Sequence, residues 1–135
     1  MPFNSIWYAS LIKSPLNPPM WVFGPAWTIL YTLMTIALIL VIRESAKDKT
    51  KKPTVRYGTK VFAFQLFFNL IWSPIFFRFE RPDLALIDLI VMLVGIIWTI
   101  VVFKKVSKTA AWLLLPYLAW VTFAGYLNLS VVLLN

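Results

Sequence analysis

Between residues 20 and 42 the chain runs for 23 residues without one charged side chain. A helix rising about 1.5 Å per residue over that length crosses the roughly 30 Å hydrocarbon core of a bilayer. Lipid offers the backbone no hydrogen bonds, so such a run must satisfy its own amides as a helix. Three more apolar runs follow, at 57–77, 84–103 and 109–134. Hydrophobic residues make up 61% of the chain, above the roughly 45–50% of a soluble domain. Four crossings use up most of 135 residues. The expectation is therefore all-α: an integral membrane helical bundle of four transmembrane helices, one domain over 1–135, with residues 1–19 as a loop ahead of the first span.

The formal net charge of +8 would suggest nucleic acid if it lay along one face of a soluble fold. Here Lys and Arg sit in the gaps between spans, which sets nucleic acid aside and makes them topology signals. Arg43, Lys47, Lys49, Lys51, Lys52, Arg56 and Lys60 bracket the first gap and Lys104, Lys105 and Lys108 fill the third, whereas Lys13, Arg78 and Arg81 fall on the opposite side. Ten against three puts the rich side in the cytoplasm. The expected setting is a bacterial cell membrane, or the mitochondrial outer membrane for a eukaryotic chain. The polar linker 43–56 is expected to be a solvated, mobile loop. The short 78–83 connection makes its flanking helices antiparallel neighbours, with Pro82 breaking the helix and Asp83 as N-cap. Pro15, Pro18 and Pro19 exclude a regular helix before the first span, which leaves Trp7 and Tyr8 in an interfacial loop. Residues 1–5 have no pattern of a secretory signal.

There is no Cys and no His. Disulfides, zinc sites, thiol nucleophiles, imidazole acid–base chemistry and imidazole ligation of haem iron are thereby excluded. No acid–base or metal catalysis has a candidate, and no cofactor is required.

Polar groups at membrane depth are where function is to be sought. Gln65, Asn69 and Ser73 recur every fourth residue on one helix face, Tyr117, Trp120, Ala124 and Asn128 form a similar stripe, and Trp27 and Tyr31 are one turn apart. Counted from the outward side at about 1.5 Å per residue, Trp27 lies roughly 10 Å deep, Asn69 roughly 12 Å, Asp88 roughly 7 Å and Asn128 roughly 9 Å. Four helices thus supply polar groups at one level beneath the N-terminal loop. Spacing leaves two readings open: a capped pocket, or amides that knit helices together at about 0.6 kcal/mol each. Asp88, costly at about 2.5–3.5 kcal/mol at a helix centre, calls either for a ligand or for neutralisation by Arg78 or Arg81. Pro116 is expected to kink the last span, and Pro74 the second to a lesser degree.

Trp7-Tyr8, Leu11, Lys13, Pro18-Pro19, Val22-Phe23, Trp27, Leu30-Tyr31 and Met34 carry a recognisable pattern. It continues through Gln65, Asn69, Trp72, Pro74 and Phe76-Phe77, then Ala85 and Asp88, then Pro116-Tyr117, Ala119-Trp120, Phe123-Ala124 and Leu127-Asn128. In these residues, over about 120 positions, the chain resembles the translocator protein family: TspO, the tryptophan-rich sensory proteins and the peripheral-type benzodiazepine receptors of mitochondria. The resemblance implies a five-helix bundle, usually a homodimer, that binds tetrapyrroles such as protoporphyrin and, in some members, cholesterol or benzodiazepine-type ligands. Carried over, the ligand pocket would use Trp7, Tyr8, Pro18, Trp27, Tyr31, Asn69, Asp88, Trp120, Ala124 and Leu127. Two features depart from the family. Its first helix, ahead of the Trp-Tyr loop, is missing here, so four helices are expected where the family has five. No basic residue follows Tyr126, so the sterol-recognition pattern is not met and cholesterol is not expected.

Three functions follow in order. The first is binding, with transport or sensing, of a tetrapyrrole or another flat hydrophobic molecule in an intramembrane pocket, stacked on Trp27, Tyr31 and Trp120. The second is photo-oxidative porphyrin degradation through Trp27 or Trp120. The third, a small multidrug-type transporter, is disfavoured because Glu44 and Glu80 lie at span ends and the charge bias fixes one orientation.

Overall fold

The computed structural model describes residues 7, 10–13, 15, 17 and 20–135, Met20 by its backbone alone. After a 3-10 turn at Met20–Val22 come four long helices: α1 (Phe23–Lys47), α2 (Lys52–Ser73), α3 (Pro82–Lys104) and α4 (Lys108–Leu134). A π turn, Pro74–Arg78, prolongs α2. All four are long and apolar enough to cross a membrane, as hydropathy requires. With the outer end taken as the one opposite the Lys-rich gaps and the inner end as the one that carries them, Trp21, 73% exposed at the outer end, and Trp112, 70% exposed at the inner end, sit where amphipathic rings favour the two membrane interfaces. Thr28, Thr32 and Thr35 on the exposed side of α1 donate to carbonyls one turn back at 3.0, 2.8 and 2.8 Å, which lets hydroxyls face lipid without an unmet bond.

α3 packs closely on both α2 and α4, and α4 also holds α1, whereas α1 and α2 barely touch. The order across the bundle is α2, α3, α4, α1. Between helices in lipid, close backbone approach replaces the hydrophobic drive, and two glycines provide it. A Cβ on Gly95 would lie 2.8 Å from the Gln65 Cβ, and one on Gly58 would lie 3.0 Å from Val102 and 3.1 Å from Phe103. Around these contacts Met34, Ala37, Val41, Phe62, Met92, Ile96, Phe103, Ala110 and Leu114 form the buried core.

The basic gaps meet at one end. The Lys51 ammonium donates to the Val106 carbonyl at 3.4 Å and lies 3.6 Å from Glu44. The linker there is much shorter than the expected 43–56 loop, because α1 continues through its charged last turn and α2 begins at Lys52. Asp48 shapes the turn: its carboxylate accepts from the Thr50 amide at 3.0 Å and the Thr50 hydroxyl at 2.6 Å. Those bonds hold the Asp48 carboxyl below the usual carboxylate range. Pro53 falls in the first turn of α2, where a missing N–H costs nothing.

At the outer end the structure corrects one detail. The helix breaks at 79–81 and Pro82 opens α3, as a proline that forbids a continuous helix requires, but Asp83 is not the N-cap. The Asp83 carboxylate instead accepts two bonds from Arg81, at 3.0 and 2.9 Å. The reversal falls on Glu80, whose φ of 54° is the sole left-handed non-glycine conformation among the described residues. Pro74, expected to bend the second span, opens the π turn, where the Phe79 amide reaches back to the Pro74 carbonyl at 3.0 Å. Pro116 lies inside an uninterrupted α4.

Candidate functional site

Where α1 and α2 part at the outer end, a cavity of about 380 Å³ opens between α1, the end of α2 and α4. Seven aromatic rings line it: Phe23, Trp27 and Tyr31 from α1, Trp72, Phe76 and Phe77 from α2 and its π turn, and Trp120 from α4. Their arrangement is fixed by ring contacts. Trp27 lies against Tyr31 with centroids 5.7 Å apart, Phe23 meets Trp120 edge-on at 5.9 Å, and Trp72 stacks on Phe76 at 5.1 Å. The Trp72 indole is further held by donating to the Asn128 side chain at 3.1 Å, while the Asn128 amide donates to the Pro82 carbonyl at 2.8 Å. This ties the wall to α4 and to the start of α3.

Below the cavity the polar side chains pair with one another. Tyr31 donates to the Asn69 carbonyl oxygen, the Asn69 amide donates to Tyr117 at 2.7 Å, and Tyr117 donates to Gln65 at 2.7 Å. This chain joins α1, α2 and α4. For Gln65 and Asn69 the interhelical-glue reading describes what the side chains do. Asn69 also borders a void of about 10 Å³ with Trp27, Trp72, Leu89, Met92, Val121 and Ala124, a volume at the limit for a single water.

The pattern read from the sequence divides accordingly. Trp27, Tyr31, Trp120, Ala124 and Leu127 line the cavity together. Asn69 lies one layer beneath. Asp88 sits at the expected depth but on α3, which contributes no described residue to the lining. Nor do Arg78 or Arg81 neutralise it: Arg78 is exposed, and Arg81 is bound to Asp83. Trp7 packs edge-on against Phe76 at 5.5 Å, beside the rim. Tyr8 and Pro18 lie outside the described residues. The described parts of the N-terminal segment do reach this end, for Asn17 lines the cavity and the Ile12 backbone exchanges two bonds with the Asn135 side chain, at 3.1 and 2.9 Å.

Sequence reasoning passed over Phe23, Trp72, Phe76 and Phe77 as wall residues, whereas Asn128, placed by depth at the level of the capped pocket, does line the cavity. The signal was present in Trp72 and Phe76, four residues apart on the same stretch as Gln65 and Asn69.

One donor in the wall is unsatisfied. The buried Trp120 indole N–H has no hydrogen-bond partner among the described residues. That N–H is enclosed, so what the cavity offers a flat hydrophobic molecule is the stacking surface of its rings, with Asn17, Thr28, Tyr31 and Asn128 as its polar lining.

The sequence profile of the TspO/MBR family matches residues 2–134. The chain belongs to the TspO/MBR family. It is 43% identical over 131 residues to the tryptophan-rich protein TspO of Chlorobaculum tepidum, covering 97% of this chain and 80% of that one. The human translocator protein is 41% identical over 125 residues, 93% of this chain and 72% of that protein. The tryptophan-rich sensory protein of Cereibacter sphaeroides is 36% identical over 129 residues, 96% and 78% respectively. As a TspO/MBR member with four membrane-capable helices, this is a membrane-resident protein, and its aromatic cavity lies within the bundle.

Proposed function

We propose that this TspO/MBR member binds a tetrapyrrole such as protoporphyrin, or a similarly flat hydrophobic molecule, in the cavity between α1, α2 and α4. The observation that carries the reading is the aromatic wall around a volume of about 380 Å³, inside the roughly 300–1,000 Å³ range of small-molecule sites. Trp27, Tyr31, Trp72 and Trp120 supply π faces for a planar macrocycle. Relatives are named translocator and sensory proteins; moving a ligand and reporting it both begin with binding. We place the basic end in the cytoplasm of a bacterial cell, from the ten-to-three distribution of cations.

The test is a titration of protoporphyrin IX into the detergent-solubilised chain, followed by tryptophan quenching. Saturable quenching is expected, weakened more than tenfold, about 1.4 kcal/mol or greater, in both Trp27→Ala and Trp120→Ala. Quenching that never saturates, or that both variants leave untouched, would overturn the reading. Illuminating the complex separates the photo-oxidative function: bleaching that proceeds equally in a Trp27→Phe, Trp120→Phe double variant removes it.

A further inference from the structure

Two buried polar side chains outside the cavity have no partner. Asp88 on α3 is 6% exposed and Ser73 on α2 is 3% exposed. Both Asp88 carboxyl oxygens and the Ser73 hydroxyl lack a hydrogen bond among the described residues. The helix register brings the two together. Along the antiparallel α2–α3 pair, Gly58 meets Val102 and Phe103, Gly95 meets Gln65, and the Asn69 amide meets the Met92 sulfur at 3.9 Å. The next turn toward the outer end sets Ser73 level with Asp88. Neither residue lines the cavity or the small void beneath it.

An uncompensated carboxylate is among the costliest groups to enclose in protein and lipid, and among the described residues the elements packed on α3 offer it no counter-charge. On α2, Arg56, Tyr57 and Lys60 lie at the inner end, and Arg78 of the π turn is exposed. On α4, Lys108 lies at the inner end, Tyr117 is engaged with Gln65 and Asn69, and Tyr126 is 43% exposed. On α3 itself, Asp83 is held by Arg81 and Lys104 stands at the far end. Lys13 of the N-terminal segment donates to the Leu11 carbonyl at 3.3 Å.

We propose that Asp88 and Ser73 form a buried site for one monovalent cation, a proton or an alkali-metal ion, separate from the aromatic cavity. One carboxylate brings one negative charge, and in surroundings of low dielectric an occupant of matching single charge is the one that balances it. The hydroxyl completes a set of three oxygens, donors that suit hard cations. No cluster of three or more acidic, His or Cys side chains fit for a metal ion exists among the described residues. The site stands whether or not the aromatic cavity binds a tetrapyrrole.

Infrared difference spectroscopy of the full chain in phosphatidylcholine vesicles, in sodium chloride and in choline chloride at neutral pH, tests this. The chain has five acidic residues, so the Asp88 band is assignable by its loss in Asp88→Asn. A protonated-carboxyl band indifferent to sodium identifies a proton as the occupant. A carboxylate band that shifts between sodium and choline identifies an alkali ion. Ser73→Ala is expected to move whichever band is found while leaving helical circular dichroism unchanged. An Asp88 carboxylate band that ignores sodium, or one that Ser73→Ala does not move, would overturn the proposal. Should Asp88→Asn fail to fold, carbon-13 aspartate labelling with the Ser73→Ala shift gives the same decision.

Discussion

The two ends of the bundle solve opposite problems. At mid-height and inward, α2 and α3 press so closely that Gly95 and Gly58 leave no room for a methyl group, and the polar side chains there are bonded to one another or to carbonyls. At the outer end α1 and α2 separate and seven aromatic rings surround about 380 Å³. The difference teaches where to look for function in a bundle whose helices are apolar on every side. Polar side chains at membrane depth mark structure where they satisfy each other, and aromatic rings gathered around empty space mark the ligand cavity.

The contrast can be broken first at its tight end. Gly95→Leu drives a side chain into Gln65, so a loss of about 3 kcal/mol, or outright failure to fold, is expected in thermal unfolding followed by circular dichroism. Gly24, whose added Cβ meets nothing within 4 Å, is the matched control, and Gly24→Ala is expected to melt with the wild type.

A smaller effect is expected at the polar floor. Tyr117→Phe removes the donor to Gln65 and the acceptor for Asn69. Stranding buried amides costs about 1–3 kcal/mol, which the same melting experiment reads. Protoporphyrin affinity is expected to change less than threefold, because Tyr117 does not line the cavity. A larger loss of affinity than of stability would show that the floor belongs to the site.

At the wall, Trp72→Phe keeps the ring and loses the bond to Asn128. The expected cost is about 1 kcal/mol in stability, with a few-fold weaker titration. The smallest effect belongs to the inner linker. The Asp48 carboxyl is held low by its bonds to Thr50, so their support is present at neutral pH and is lost as pH falls through the depressed value. Thr50→Val, which loses the hydroxyl's bond and keeps the backbone amide's, is expected to reduce that acid sensitivity in proteolysis of the linker and to leave the bundle's melting unchanged.

Much of this was legible before any coordinates. Length and hydropathy give the four spans, and counting residues from the outer side puts Trp27, Asn69 and Asp88 at nearly one depth. What depth cannot give is direction around each helix. On a helix apolar all round, no polar stripe says which side faces a neighbour and which faces lipid. Asp88 was therefore grouped with the cavity, although α3 contributes no described residue to its lining. Asn69 was grouped with it as well, although three hydrogen bonds commit it to Tyr31, Tyr117 and Met92. Phe76 and Phe77 were missed for a related reason: the π turn that begins at Pro74 changes the helical phase just where the wall is built. The 43–56 linker was overestimated because composition registers charge but does not see Asp48 closing a turn on Thr50.

The account's central claim is that the outer aromatic cavity, and no other part of the bundle, receives the ligand. Gly24 borders that cavity from α1 with open space beside it, so a bulky residue there fills the volume without disturbing a helix contact. Protoporphyrin titrations of Gly24→Ala and Gly24→Phe, with melting measured on both, test the claim directly. The account predicts wild-type melting in both variants, wild-type quenching in the alanine variant and its abolition in the phenylalanine variant. Quenching of wild-type strength in a folded Gly24→Phe chain would contradict it.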